Sequence, residues 1–130
     1  MTSPRVRLWL CLPPVAACWA DVAATLLGQG RRYWSGDYAH VTEWNPLARE
    51  LLRLHPLAFV TAASVSCVLI AAAVMLLNHR LAVFIAFAVT FAHTVAAAAW
   101  AARSGTGGVV AAVGMLILCE RAVAFSWKRV

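Results

Sequence analysis

Charge is what this sequence has least of. Only 12% of its 130 residues are Asp, Glu, Lys or Arg, and only five are acidic, whereas about a quarter of a soluble domain is charged. With 63% hydrophobic residues and a mean hydropathy of +0.78, this scarcity excludes a disordered chain. It excludes a soluble enzyme as well, because a chain this short buries too small a fraction of its surface to hide so much apolar area. Cysteine is equally sparse: Cys11, Cys18, Cys67 and Cys119 form no CxxC pair. A disulfide-stapled secreted miniprotein is therefore excluded, and the four thiols read as small apolar packing groups. Also missing are HExxH, a paired Glu-x-x-His, GxSxG and a glycine-rich phosphate loop. No cofactor is expected, and enzyme status leans to no.

What is present is apolar sequence in four runs, residues 6–28, 57–77, 81–102 and 108–127. Each is about 20 residues long, enough at ~1.5 Å per residue to cross a hydrocarbon layer of roughly 30 Å. The second and third runs hold no charged residue. The first is interrupted by Pro13, Pro14 and Asp21, and the fourth by Glu120 and Arg121. The reading is all-α: one integral membrane domain over residues 1–130, a four-helix up-down bundle, because the links around Asn78–Arg80 and Arg103–Gly107 are short enough to keep neighbouring helices antiparallel. Only the first loop, residues 29–45, is large. After it, Asn45 is a good N-cap and Pro46 a good first helical residue for PLARELLRLHP. Leu47, Leu51 and Leu54 share one face there and Arg49, Glu50 and Arg53 cover another, which predicts an interfacial helix over 46–55; an extended start to the second span is the competing reading.

The net charge of +6 comes from basic residues that flank the runs, where lipid head groups would meet them, so the bilayer is the expected partner and nucleic acid is not. Arg5, Arg7, Arg80, Arg121, Lys128 and Arg129 make six on the side of the termini, against five on the other, Arg31, Arg32, Arg49, Arg53 and Arg103. This narrow excess places the termini in the cytoplasm, with a bacterial inner membrane as the expected location. Trp9 and Trp127 mark one membrane face and Trp34, Trp44 and Trp100 the other, while Trp19 falls inside a span. The stretch Val15-Ala16-Ala17-Cys18 resembles a bacterial lipobox, which would make Cys18 a lipidated N-terminus. Apolar sequence continuing to Gly28 favours a full span instead. Ala58 and Ala62, and Ala97 and Ala101, have the small-xxx-small spacing that brings helices close, within the bundle or toward other membrane subunits or a second copy.

Ionisable residues inside spans cost about 2.5–3.5 kcal/mol each near a helix centre, so they normally face partners. Asp21, His93 and Glu120 are the candidates, at depths of roughly 10, 14 and 18 Å from one membrane face. Thr25 lies one turn beyond Asp21, and Thr90 one turn before His93, offering hydroxyls as partners. Arg121, about 100° round the helix from Glu120, is expected to snorkel rather than pair. Two carboxylates and an imidazole suit a metal ion, a proton relay or general acid/base work. The bland alternative is a set of hydrogen bonds that merely hold helices together.

The order Asp21-x3-Thr25 in the first span, then Glu43-x-Asn45-Pro46 opening the second, resembles a domain-of-unknown-function family of small bacterial polytopic membrane proteins. The likeness covers about half the chain, with a longer first loop, RRYWSGDYAHVTEW, than the family pattern. It implies about four spans and brings no established activity. Glu43 and Asn45 fall at the membrane face towards which Asp21 is displaced, so a first loop that folds back would let Asp21, Thr25, Glu43 and Asn45 line one polar pocket with His93 beneath it. More faintly, WNPLARELLRLHPLAF and His93-Thr94 are similar to the sterol-isomerase-like bundles that enclose a lipophilic ligand beside buried carboxylates. Asn45 stands where those have an acidic residue. Two functions are therefore expected: a non-enzymatic accessory or oligomer-forming bundle, or an intramembrane site for a metal, a proton or a lipophilic ligand, built on Asp21, Glu43, His93 and Glu120.

Overall fold

The computed structural model describes residues 4–127, without the side chains of residues 4–6, 122, 126 and 127. Arg5, Trp127, Lys128 and Arg129, expected at the terminal-side interface, lie outside the described residues or side chains. The described residues form helices α1 (Pro4–Leu27), α2 (Arg31–Trp34), α3 (Pro46–Leu54), α4 (Pro56–Leu76), α5 (His79–Ala102) and α6 (Gly105–Trp127), with a 3-10 turn at Tyr38–His40 and no strand. α1, α4, α5 and α6 are each long and apolar enough to cross a membrane, with mean hydropathies of 1.6, 2.4, 2.1 and 1.9 over their most apolar stretches. Their large outward side chains are uncovered: Val68 on α4, Phe84 on α5 and Leu118 on α6 are 67%, 66% and 69% exposed. Such an apolar surface suits lipid rather than water.

Each helix start has a local cause. The Asn45 side chain accepts from the Leu47 and Ala48 amides at 3.0 and 3.4 Å, and Pro46 supplies the preset φ of a first helical residue. His55 has extended backbone, and its Nδ1 accepts from the Leu57 amide at 3.1 Å, so α3 stops and α4 begins anew at Pro56. Asn78 caps α5 through the Leu81 amide at 3.1 Å. Gly105, at φ +76°, makes the turn into α6. Pro13 and Pro14 sit inside α1 without ending it, although each removes one helical hydrogen bond.

α1 packs on α4, α5 and α6, and α5 packs on α4 and α6. The seam is made of small residues: Ala82, Ala86, Thr90, Thr94 and Ala97 recur along one face of α5 and are all buried, which lets the backbones approach closely. Leu10, Cys11 and Val74 complete the core against Ala82 and Ala86. Ala97, expected on a small-residue face, is spent inside this seam. Its companion Ala101 meets α6 at Gly108, where any Cβ would overlap the Ala101 carbonyl.

Two side chains make contacts beyond their expected roles. Arg7 does not simply flank a span: its Nη1 donates to the carbonyls of Val74, Met75 and Leu77 at 3.3, 2.6 and 2.7 Å. It thereby caps the C-terminus of α4, a helix end with no basic residue in its own last turn. Trp100, expected at a membrane face, is also packed inward: it is 9% exposed, lying where a Cβ on Gly28 would strike its ring. Gly28, just past the end of α1, is thus the gap that admits the indole.

Candidate functional site

Asp21 on α1 and His93 on α5, 72 positions apart, meet side chain to side chain: Oδ2 lies 2.8 Å from Nδ1. Both are largely withdrawn from the surface, with side-chain exposures of 19% for Asp21 and 34% for His93. With a carboxylate as acceptor, Nδ1 carries the proton, and a neutral ring is left with a lone pair on Nε2. Among the described residues nothing bonds Nε2. The pair faces a half-open cavity of about 260 Å³ bordered by α1, α3, α4 and α5.

Five of the six expected polar residues line that cavity, namely Asp21, Thr25, Glu43, Asn45 and His93. Glu43 is 8% exposed; its Oε1 accepts from the Trp44 and Asn45 amides, both at 2.7 Å, which bends the chain into the start of α3. Its carbonyl accepts from Nε of Arg49 at 2.6 Å. Apart from Ser66 the remaining walls are apolar, among them Val22, Leu51, Phe59, Ala63 and Trp100. A few polar groups among apolar walls are the lining of a small-ligand cavity, although 260 Å³ falls just below the usual range of roughly 300–1,000 Å³.

Glu120 is placed elsewhere. Its side chain is 66% exposed, its Oε2 lies 3.4 Å from Nε of Arg121, and it borders a separate cleft with Phe87, Phe91 and Leu116. The expectation that Arg121 is a poor partner is corrected: both side chains are long and lie on an open surface, so their tips meet although their Cβ atoms diverge. A second correction concerns Thr90, whose hydroxyl donates to the Ala86 carbonyl at 2.6 Å rather than to His93, the usual way a threonine satisfies itself inside a helix. Among the described residues, no three His, Cys, Asp or Glu side chains come within reach of one metal ion.

Three features that hold the cavity together escape a reading of spans. Gln29 clamps the loop to α1: its Nε2 donates to the Thr25 carbonyl at 3.0 Å, and its Oε1 accepts from the amide and hydroxyl of Thr42 at 3.0 and 3.3 Å. Its signal was a lone glutamine between two glycines at a span end. Arg103 is layered between Trp44 and Trp100, 5.0 and 4.1 Å from the ring centroids, tying the loop over the cavity to the end of α5. Tyr33, fully buried, donates its hydroxyl to the Leu52 carbonyl at 3.1 Å and packs on Tyr38. The long first loop is thus a small folded cap. Burial, and then the neighbouring Tyr38, push the Tyr33 phenol above its ordinary range.

No family model, no curated protein and no solved structure matches this chain.

Proposed function

We propose that this chain is a multi-pass protein whose four long helices cross a bacterial inner membrane as an up-down bundle with cytoplasmic termini, and that it binds a small, partly polar ligand at the opposite membrane face. The observation that carries this reading is the Asp21–His93 contact of 2.8 Å at the wall of a cavity. A pair that served only to join α1 to α5 would need no cavity beside it and no open nitrogen. Here Nε2 is left to accept a hydrogen bond or a proton from an occupant, with the Asp21 carboxylate stabilising the imidazolium that results.

The family resemblance points the same way, since Asp21, Thr25, Glu43 and Asn45, four residues of its two short motifs, are polar lining groups of this one cavity. The role is binding rather than reaction. Among the described residues, no hydroxyl or thiol is hydrogen-bonded to the imidazole, so no nucleophile is activated by it. An accessory function within a larger membrane assembly is compatible with such a site.

The test is native mass spectrometry of the protein extracted from its own membrane in a mild detergent. An adduct of a few hundred daltons is expected on the wild type and absent from Asp21→Asn and His93→Ala, both checked for native helicity and a single elution peak. A wild type without an adduct, or one retained equally by both folded variants, overturns the reading.

A further inference from the structure

The opposite half of the bundle carries a second opening, unrelated to the polar cavity. α5 and α6 are pressed together at one end by the Gly108–Ala101 apposition and separate toward the other. There a space of about 290 Å³ lies among α1, α5 and α6, lined by Leu10, Val83, Phe84, Phe87 and Val123, with Arg80 on its wall. A larger cleft of about 700 Å³ continues from it between α5 and α6 and shares Phe87 and Val123. Phe87 and Phe91 stack along its side, 6.3 Å between centroids and 9° from parallel.

We infer that this furrow is a binding site for one anionic phospholipid, its phosphate on the Arg80 guanidinium and one acyl chain laid along Phe84, Phe87 and Phe91. Three observations select this occupant. The lining is almost wholly apolar and opens sideways from the bundle, where a hydrocarbon chain is the available filler. From Arg80 to Phe91 is eleven residues of helix, about 16 Å, or roughly one leaflet of the hydrocarbon layer. The charge at its end is uncompensated: among the described residues Arg80 makes no hydrogen bond or ion pair. Glu120, which also borders this region, is paired with Arg121 at 3.4 Å. An exposed, unpaired cation at the end of an apolar furrow matches a negative head group and its chain, and has nothing to offer a neutral one beyond hydrogen bonds.

The test uses the full chain in nanodiscs of equal parts phosphatidylglycerol and phosphatidylcholine, with the lipid that stays on the ejected protein identified by native mass spectrometry. Phosphatidylglycerol is expected to be enriched about fivefold over the bulk mixture. Arg80→Gln should bring the ratio to that of the bulk, and Arg80→Lys should restore most of it. Val123→Trp, which fills the junction of the two spaces, should lower the retained lipid of either kind. Helicity and elution volume establish that each variant is folded, and the glutamine–lysine contrast decides the question even if the tryptophan variant does not fold. The inference is overturned by a wild type without enrichment, by enrichment that survives Arg80→Gln, or by ejection as a lipid-free dimer, which would mean that a second copy covers the furrow. None of these outcomes depends on whether the polar cavity holds a ligand.

Discussion

Asp21 and Glu120 are the two carboxylates within the long apolar helices, and the two ends of the molecule treat them differently. Asp21 is turned inward, 19% exposed, and held by a residue 72 positions away in the chain. Glu120 is turned outward, 66% exposed, and held by its immediate neighbour. The first contact joins α1 to α5 and helps to define a cavity; the second joins nothing beyond α6. A carboxylate in an apolar run is expensive in either setting. Withdrawn from solvent, it needs a partner that only tertiary packing supplies, whereas on an open face a nearby arginine suffices and both tips remain accessible.

The comparison breaks most severely if Asp21 loses its carboxylate. Asp21→Ala leaves the His93 Nδ1 donor without its acceptor in a partly buried site and should cost about 1–3 kcal/mol, read as a lowered unfolding temperature in detergent. Substitution at His93 should then add little on top of it, because both changes remove the same contact.

Gly28→Leu attacks the same end from the other side of the cavity. The side chain would occupy the place of the Trp100 ring, so an overpacking cost of about 1–3 kcal/mol is expected, together with a red-shifted tryptophan emission as the indole is pushed out from beneath Arg103. Emission unchanged from the wild type would mean that Trp100 does not seal this end.

Tyr33→Phe tests the cap alone. Loss of the bond to the Leu52 carbonyl should cost about 1 kcal/mol. The pH dependence has a definite sign: since burial raises the Tyr33 phenol in the folded state, its contribution is intact below the ordinary tyrosine value of 10.0. It is lost as pH rises above that value, because the unfolded chain gives up its proton first. Denaturation at alkaline pH should show this loss in the wild type and less of it in Tyr33→Phe.

The smallest effect belongs to the other end. Glu120→Gln removes an exposed pair and should change stability by less than about 0.5 kcal/mol. A loss as large as that of Asp21→Ala would erase the distinction between the two carboxylates.

Much of the architecture was legible in the residues. Runs of apolar side chains about 20 residues long correspond to the four long helices, because helix length and hydrocarbon thickness are set by fixed dimensions. Asn45-Pro46 announced a helix start, because capping is local chemistry decided by two or three neighbouring residues. Part of the candidate site was legible for the same reason: a carboxylate or imidazole in an apolar run is conspicuous whatever surrounds it. Which of these residues would meet was not. Asp21 and His93 come together, and Glu120 does not, through the rotation of α1, α5 and α6 about their own axes, which is set by how the alanine and threonine seam of α5 packs. Arg7 gave no local sign that it would cap α4, since the carbonyls it serves lie 67–70 positions along the chain.

Composition and hydropathy alone determined that this protein is helical and apolar enough for a membrane, and where each long helix lies to within about three residues, because those properties follow from the transfer of side chains and backbone into hydrocarbon one segment at a time. Tertiary structure alone decided which polar residues became partners, that the first loop folds as a cap closed by Gln29 and the Trp44–Arg103–Trp100 stack, and that α5 and α6 part around a furrow. These depend on contacts between segments distant in sequence, and the periodicity of a single helix does not record which of its faces a neighbour will cover.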